Sequence, residues 1–208
     1  MEYFLGIDLG GTAIKTAVLD NTYRIIASCT RETRLPRPWN EILDDCAQSV
    51  FDVCAQVPDM SLKKCAFAGI VDIEKGVVEV AANLGFYGVP IKDYLEKKLH
   101  ISVYTENDAN AAAWGEYIAG AGSCAKLAKP CTDMVSITIG TGIGSGIILN
   151  GSIFRGSNGL AGELGHTVIE LDGRDCPCGR KGCINMYASA NGLKQTTREF
   201  MQRFPESS

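Results

Sequence analysis

The alternation of apolar and polar positions divides the chain into short strand-like runs and longer amphipathic stretches. Tyr3 to Leu9, Ile14 to Leu19 and Arg24 to Cys29 are brief β-branched or apolar runs separated by turn residues, which predicts a three-stranded meander. After Pro38 the spacing changes. Trp39, Ile42, Leu43, Cys46, Ala47, Val50, Phe51 and Cys54 recur at the intervals of a helix with one buried face. Cys65 to Val71 reads as a strand, Ile91 to Leu99 as a short helix, Ile101 to Thr105 as a strand, and Asp108 to Ala119 as a helix stopped by Gly120. This order is that of a mixed-sheet α/β domain, expected over residues 1–118. The small, polar stretch Gly120 to Lys129 marks a boundary. A second domain, 119–208, then opens on a hairpin with strands Val135 to Ile139 and Ile147 to Leu149. Asn185 to Phe204 reads as its closing helix, with apolar Met186, Leu193, Phe200 and Phe204.

Composition narrows the function classes. The 208 residues, 46% hydrophobic, suffice for a substantial core, and a net charge of -4 argues against a nucleic-acid partner. No apolar run reaches the roughly 18 residues of a membrane span, and residues 1–19 lack the organisation of a signal peptide. A cytoplasmic location is therefore expected. Nine cysteines is an odd number. Cys29, Cys46, Cys54, Cys65, Cys124 and Cys131 fall mostly in apolar patterns, as free thiols of a reducing compartment do. Asn150-Gly151-Ser152 reads as a turn.

The remaining cysteines carry chemistry. Cys176-Pro177-Cys178-Gly179-Arg180-Lys181-Gly182-Cys183, with His166 ten residues upstream, offers three thiols and an imidazole, the ligand set of a closed tetrahedral Zn²⁺ site. A lone cysteine would be an ordinary core residue. Three at this spacing, interrupted by Pro and Gly, are not.

Two glycine turns point to phosphate. Gly6-Ile7-Asp8-Leu9-Gly10-Gly11-Thr12 and Ile137-Thr138-Ile139-Gly140-Thr141-Gly142 both run from an apolar strand into a Gly/Thr turn. Glycines at 140, 142, 144 and 146 would leave one hairpin face bare for a ligand to approach. Successive N–H groups there, with the hydroxyls of Thr12 and Thr141, suit phosphate oxygens, and Asp8 suits Mg²⁺ held through water. No G-x-x-x-x-G-K-[ST] is present, and G-x-G-x-x-G started at Gly140 breaks at Ser145. A polar run, Thr105-Glu106-Asn107-Asp108-Ala109-Asn110, joins a strand to a helix N-terminus. With Asn83 in Ala82-Asn83-Leu84-Gly85, and with Glu163 and His166, it suits a polyhydroxy ligand.

Taken in order, Asp8 to Thr12, Glu106 to Asn110, Gly140 to Gly144, Ala161-Gly162-Glu163-Leu164-Gly165-His166 and the cysteine run strongly resemble the ROK family of bacterial sugar kinases and related repressors. The match runs from residue 3 to about 193. The resemblance implies the actin-like ATPase (ribonuclease H-like) fold in two domains, the second incomplete, and an ATP-dependent hexose kinase of the glucokinase-like branch. By the same resemblance Asp108 is the catalytic base that takes the proton of the sugar 6-hydroxyl. Asp8 lies near Mg²⁺, and Gly10, Gly11, Thr12 and Lys15 with Gly140, Thr141, Gly142 and Gly144 form the two phosphate turns. Asn83, Asn107, Asp108, Glu163, His166 and Asn185 are implied as sugar partners. His166, Cys176, Cys178 and Cys183 are implied as the zinc ligands.

The chain departs from the family pattern in three places. Asn185 stands where members usually have Glu. The loop Ala66 to Asp72 is shorter than the family's and keeps only Gly69 of its Gly-Pro region. The adenine-binding glycine segment and final helix of family kinases have no counterpart before Ser208, so the second domain's sheet is expected to lack covering helices and to favour self-association as a dimer. Glucose is the expected sugar, with N-acetylmannosamine, N-acetylglucosamine or allose as alternatives and a catalytically silent sugar-binding chain as another. A repressor of the same family would carry a helix-turn-helix before the first strand, where Tyr3 already begins it.

Overall fold

The computed structural model describes residues 3–57, 60, 64–69, 71–81, 83–123 and 131–206. Cys124, Ile70 and Ala82 lie outside the described residues, as does most of the expected boundary stretch. The chain divides into two compact units, Met1–Asp108 and Ala109–Ser208.

The first unit is built on a five-stranded mixed sheet. Strands β1 (Phe4–Leu9), β2 (Ala13–Leu19) and β3 (Ile25–Glu32) form the expected meander, and β4 (Lys64–Ala68) and β7 (Ser102–Glu106) add in parallel beside β1, in the order β3-β2-β1-β4-β7. Their alternation places Leu5, Ile7, Leu9, Ile14, Val18, Phe67 and Val103 in the core. Helix α1 (Trp39–Cys54) packs on β2 and β3, and α2 (Ile91–Leu99) packs on β7 and α1. A buried hydroxyl pair, Thr16 with Ser49 at 2.6 Å, ties β2 to α1.

The face of α1 differs from expectation at one position. Phe51 is 50% exposed, whereas Val53 is fully buried. At about 100° per residue Phe51 lies roughly 180° from Ile42, outside the stripe that Val53 joins. A small hairpin, β5 (Val78–Ala81) with β6 (Phe86–Val89), was not expected. Val77 to Val80 and Phe86 to Val89 do carry its β-branched and aromatic residues, on either side of a turn at Gly85.

In the second unit, α3 (Asp108–Ile118) leads to β8 (Met134–Ile139), β9 (Ile143–Leu149) and β10 (Ser152–Ile153), an antiparallel sheet in the order β10-β9-β8. Asn150 and Gly151, with φ of 50° and 73°, make the β9–β10 turn, the left-handed pair that a two-residue hairpin requires. The expected division at residue 118 falls after α3, but only Asp108 of that helix counts with the first unit. The reason is contact with β9. A side chain on Gly144 would lie 3.0 Å from the Ala109 Cβ, one on Gly146 would lie 2.5 Å from the Ala113 Cβ, and one on Gly151 would lie 3.3 Å from the Tyr117 hydroxyl. Ala109, Ala113 and Tyr117 follow at i, i+4 and i+8, one helix face laid along the hairpin.

The closing helix is two helices. Helix α4 (Asn185–Ala188) ends at Ser189, which is extended, and α5 (Ala190–Arg203) begins there. The Ser189 hydroxyl donates to the Asn185 carbonyl at 2.6 Å and accepts from the Gly192 N–H at 3.0 Å, capping the new helix. Leu193, Phe200 and Phe204 are 64%, 59% and 48% exposed rather than buried. The second sheet is uncovered too: Val135, Ile137 and Ile139 pair with Ile147, Ser145 and Ile143 on one face, and all three β8 residues are exposed.

Candidate functional site

In the first unit the site begins at the β1–β2 turn. The Gly10 N–H closes the turn on the Ala13 carbonyl at 3.0 Å. Thr33, fully buried beyond the end of β3, clamps it: its hydroxyl donates to the Gly10 carbonyl at 2.7 Å and its N–H to the Thr12 carbonyl at 3.0 Å. Sequence reasoning missed Thr33, because a threonine after a strand carries no signal until the turn beside it is known. Asn83, also in this unit, lies against the turn, with its amide nitrogen 3.5 Å from where a Gly11 Cβ would stand.

Asp8 faces Lys15 across β1 and β2 at 3.9 Å, with both side chains more than half exposed, so the pair adds little stability. Partial burial pushes the Asp8 carboxyl above its ordinary pKa; Lys15 opposes that shift and the charge of Asp108 adds to it. The two carboxyls are thus near enough to feel one another. Asp108 opens α3 directly after Asn107, whose N–H donates to the Glu106 carboxylate at 3.1 Å. An acidic residue at a helix N-terminus is favoured by the dipole, and Asp108 stands exposed at that position.

In the second unit the β8–β9 turn is closed by the Gly140 N–H on the Gly142 carbonyl at 2.9 Å. The four period-two glycines do not share one open face. A side chain on Gly140 would meet nothing within 4 Å, one on Gly142 would lie 3.2 Å from Asn185 Oδ1, and Gly144 and Gly146 face α3. The bare face expected to admit a ligand is therefore filled, along β9, by a helix. Asn185 is likewise committed within the protein, its Oδ1 accepting the Ile143 N–H at 2.7 Å.

Glu163 and His166 are carried on a short 3₁₀ turn, Leu164–His166, fastened to β9. The buried Ser145 hydroxyl donates to the Gly162 carbonyl and accepts the Leu164 N–H. A side chain on Gly165 would stand 2.3 Å from the Ile143 carbonyl, so only glycine lets this turn lie flat on the strand.

Beyond it, a ring nitrogen of His166 and the thiols of Cys176, Cys178 and Cys183 all lie within 4.8 Å of one another. His166 Nδ1 is 3.5 Å from Cys176 Sγ, and Cys178 Sγ is 3.7 Å from Cys183 Sγ. Bond lengths of about 2.3 Å to sulfur and 2.0 Å to nitrogen in a tetrahedron give edges of about 3.8 Å and 3.5 Å, so the residues fit zinc. The Arg180 N–H and guanidinium draw the exposed Cys178 thiol down to about 6, the thiolate form that metals take. Arg174, which sequence reasoning also missed, pins this loop to α4 and α5: its guanidinium donates to the carbonyls of Met186 and Gly192 and to Thr196 and Glu199, and it stacks on Tyr187.

The model of the ROK family matches residues 4–207. The chain belongs to the ROK family. A glucokinase of Halalkalibacterium halodurans is 35% identical over 211 residues, covering 99% of this chain and 62% of that protein. An N-acetylmannosamine kinase of Salmonella paratyphi A is 33% identical over 199 residues, covering 94% of this chain and 64% of that protein. Among solved structures, a ROK family glucokinase from Streptomyces griseus in complex with glucose and AMPPNP matches with a TM-score of 0.79 and 35% identity, covering 99% of this chain and 63% of that one. The fold is thus that of the ROK sugar kinases, the actin-like ATPase fold. This chain spans about 62% of the length of the curated relatives it matches first.

Proposed function

We propose that this ROK protein is an ATP-dependent hexose kinase that transfers the γ-phosphate of ATP to the 6-hydroxyl of a sugar, glucose first among them. The observation that carries the reading is the setting of Asp108: a carboxyl at the start of α3, near enough to Asp8 to help raise its pKa, in a chain 35% identical to a glucokinase. Asp108 accepts the proton of the 6-hydroxyl as its oxygen attacks phosphorus. Such transfer needs in-line positioning and charge neutralisation more than a strong base. Gly10, Gly11, Thr12 and Lys15 hold phosphate oxygens from the first turn, and Gly140, Thr141 and Gly142 from the second. Asp8 holds Mg²⁺ through water, and the cation supplies neutralisation of the phosphate charge. Asn83, Asn107, Glu163 and His166 bind sugar hydroxyls. A zinc ion on His166, Cys176, Cys178 and Cys183 is structural; with Nδ1 turned to the metal, the imidazole keeps its proton on Nε2 and presents it as a donor.

A coupled ADP-release assay across glucose, N-acetylmannosamine, N-acetylglucosamine, mannose and allose, on this chain and on any longer product of its gene, tests the reading. Absence of turnover with every sugar in both forms overturns it. Asp108→Ala is expected to abolish turnover and leave sugar affinity within a few fold. The 62% span of the relatives supports a second reading, a sugar-binding chain without turnover, which the same assay separates. The exposed β8 face supports self-association; sedimentation as a monomer at micromolar concentration would exclude it.

A further inference from the structure

Residues 183–190 grip both limbs of the β8–β9 turn. On the β9 side, Asn185 Oδ1 accepts the Ile143 N–H at 2.7 Å and lies within 3.2 Å of where a Gly142 side chain would begin. On the β8 side, the Ala190 N–H donates to the Gly140 carbonyl at 2.9 Å. The gripping segment is itself fixed, because the Asn185 carbonyl accepts from the buried Ser189 hydroxyl that caps α5, and the Ile184 N–H donates to the Thr167 carbonyl at 2.9 Å.

We infer that Asn185 is a positioning residue for the nucleotide phosphates, acting through the Gly140–Ile143 turn. The inference rests on the kinase reading for its ligand, but the brace itself can be measured without it. The experiment is amide hydrogen exchange by NMR on the ¹⁵N-labelled chain, with titrations of Mg-AMPPNP and, separately, of glucose, for the native sequence, Asn185→Ala and Asn185→Asp. In Asn185→Ala the Ile143 amide is expected to exchange at least about tenfold faster, because its acceptor is gone. The AMPPNP dissociation constant is expected to rise about tenfold, while that for glucose stays within twofold. Asn185→Asp keeps the acceptor, so Ile143 stays protected while AMPPNP affinity falls, most steeply at low ionic strength. Unchanged exchange at Ile143 in Asn185→Ala overturns the brace. Loss of glucose affinity with AMPPNP affinity intact returns Asn185 to the sugar site. If the native chain binds neither ligand, the kinase reading and the phosphate role fall together, and exchange at Ile143 alone still decides whether the brace exists.

Discussion

The two units hold themselves together by different means. In the first, the apolar cluster runs from Leu5 through Phe67 to Val103, with α1 and α2 laid over the sheet. In the second, Val135, Ile137 and Ile139 stand 55%, 56% and 72% exposed, and order comes from close backbone approach at Gly146 and Gly165, from the Arg174 bonds and from the close-set His166, Cys176, Cys178 and Cys183. Burial of apolar area is a diffuse force that tolerates the loss of any one contact. A unit held by a few exact approaches depends on each of them.

The sharpest break in that comparison is metal removal. Chelation, or Cys176→Ser, is expected to abolish amide protection around Cys183 and Ile184 while Leu5, Ile7 and Phe67 stay protected. Zinc-dependent loops owe on the order of 10 kcal/mol to their ion, and retained protection in the second unit would show that it does not need one. Phe67→Ala, at a site 1% exposed, is expected to cost the first unit about 3–5 kcal/mol by denaturant melting with metal stoichiometry unchanged. Gly146→Ala should destabilise the second unit by about 1–3 kcal/mol through overpacking on Ala113, whereas Gly140→Ala, with open space around it, should stay within about 0.5 kcal/mol. Equal costs would mean that the helix, not the turn, has been misjudged.

The smallest effect is electrostatic. Because the Asp8 shift is upward, the folded chain holds that proton more tightly than the unfolded one, so Asp8 penalises the fold above its folded pKa and the penalty vanishes on acidification. Lys15→Met should move the Asp8 titration, followed by carboxyl NMR, further up, and Asp108→Asn should move it down. Movement in the opposite directions would undo the coupling.

Much of the first unit was legible in the sequence because its elements follow simple periods: β1, β2, α1 and α2 lie within a residue or two of where the pattern puts them. The clustering of His166, Cys176, Cys178 and Cys183 was legible for a similar reason, since residue type and spacing bring the four together without reference to anything distant. What escaped depends on neighbours remote in the chain. Thr33 matters because the β1–β2 turn lies beside it, and Gly144 matters because Ala109 does. Ser189 broke a periodic helix because its hydroxyl serves a carbonyl and an amide at once. The period of two holds for Gly144 and Gly146, which share a face, but period alone cannot distinguish a ligand from a helix as the partner of that face. The bond from the Ile143 N–H to Asn185 was not legible for the same reason, since its partners are remote in the chain.

His166, Cys176, Cys178 and Cys183 all fall within one short stretch of chain. Closing so short a loop costs little chain entropy. Bringing these four side chains together is therefore an event of low contact order, open to the chain before distant pairings exist. Under the zinc reading proposed above, the metal would then find its site early in folding, ahead of the packing of that loop on β9.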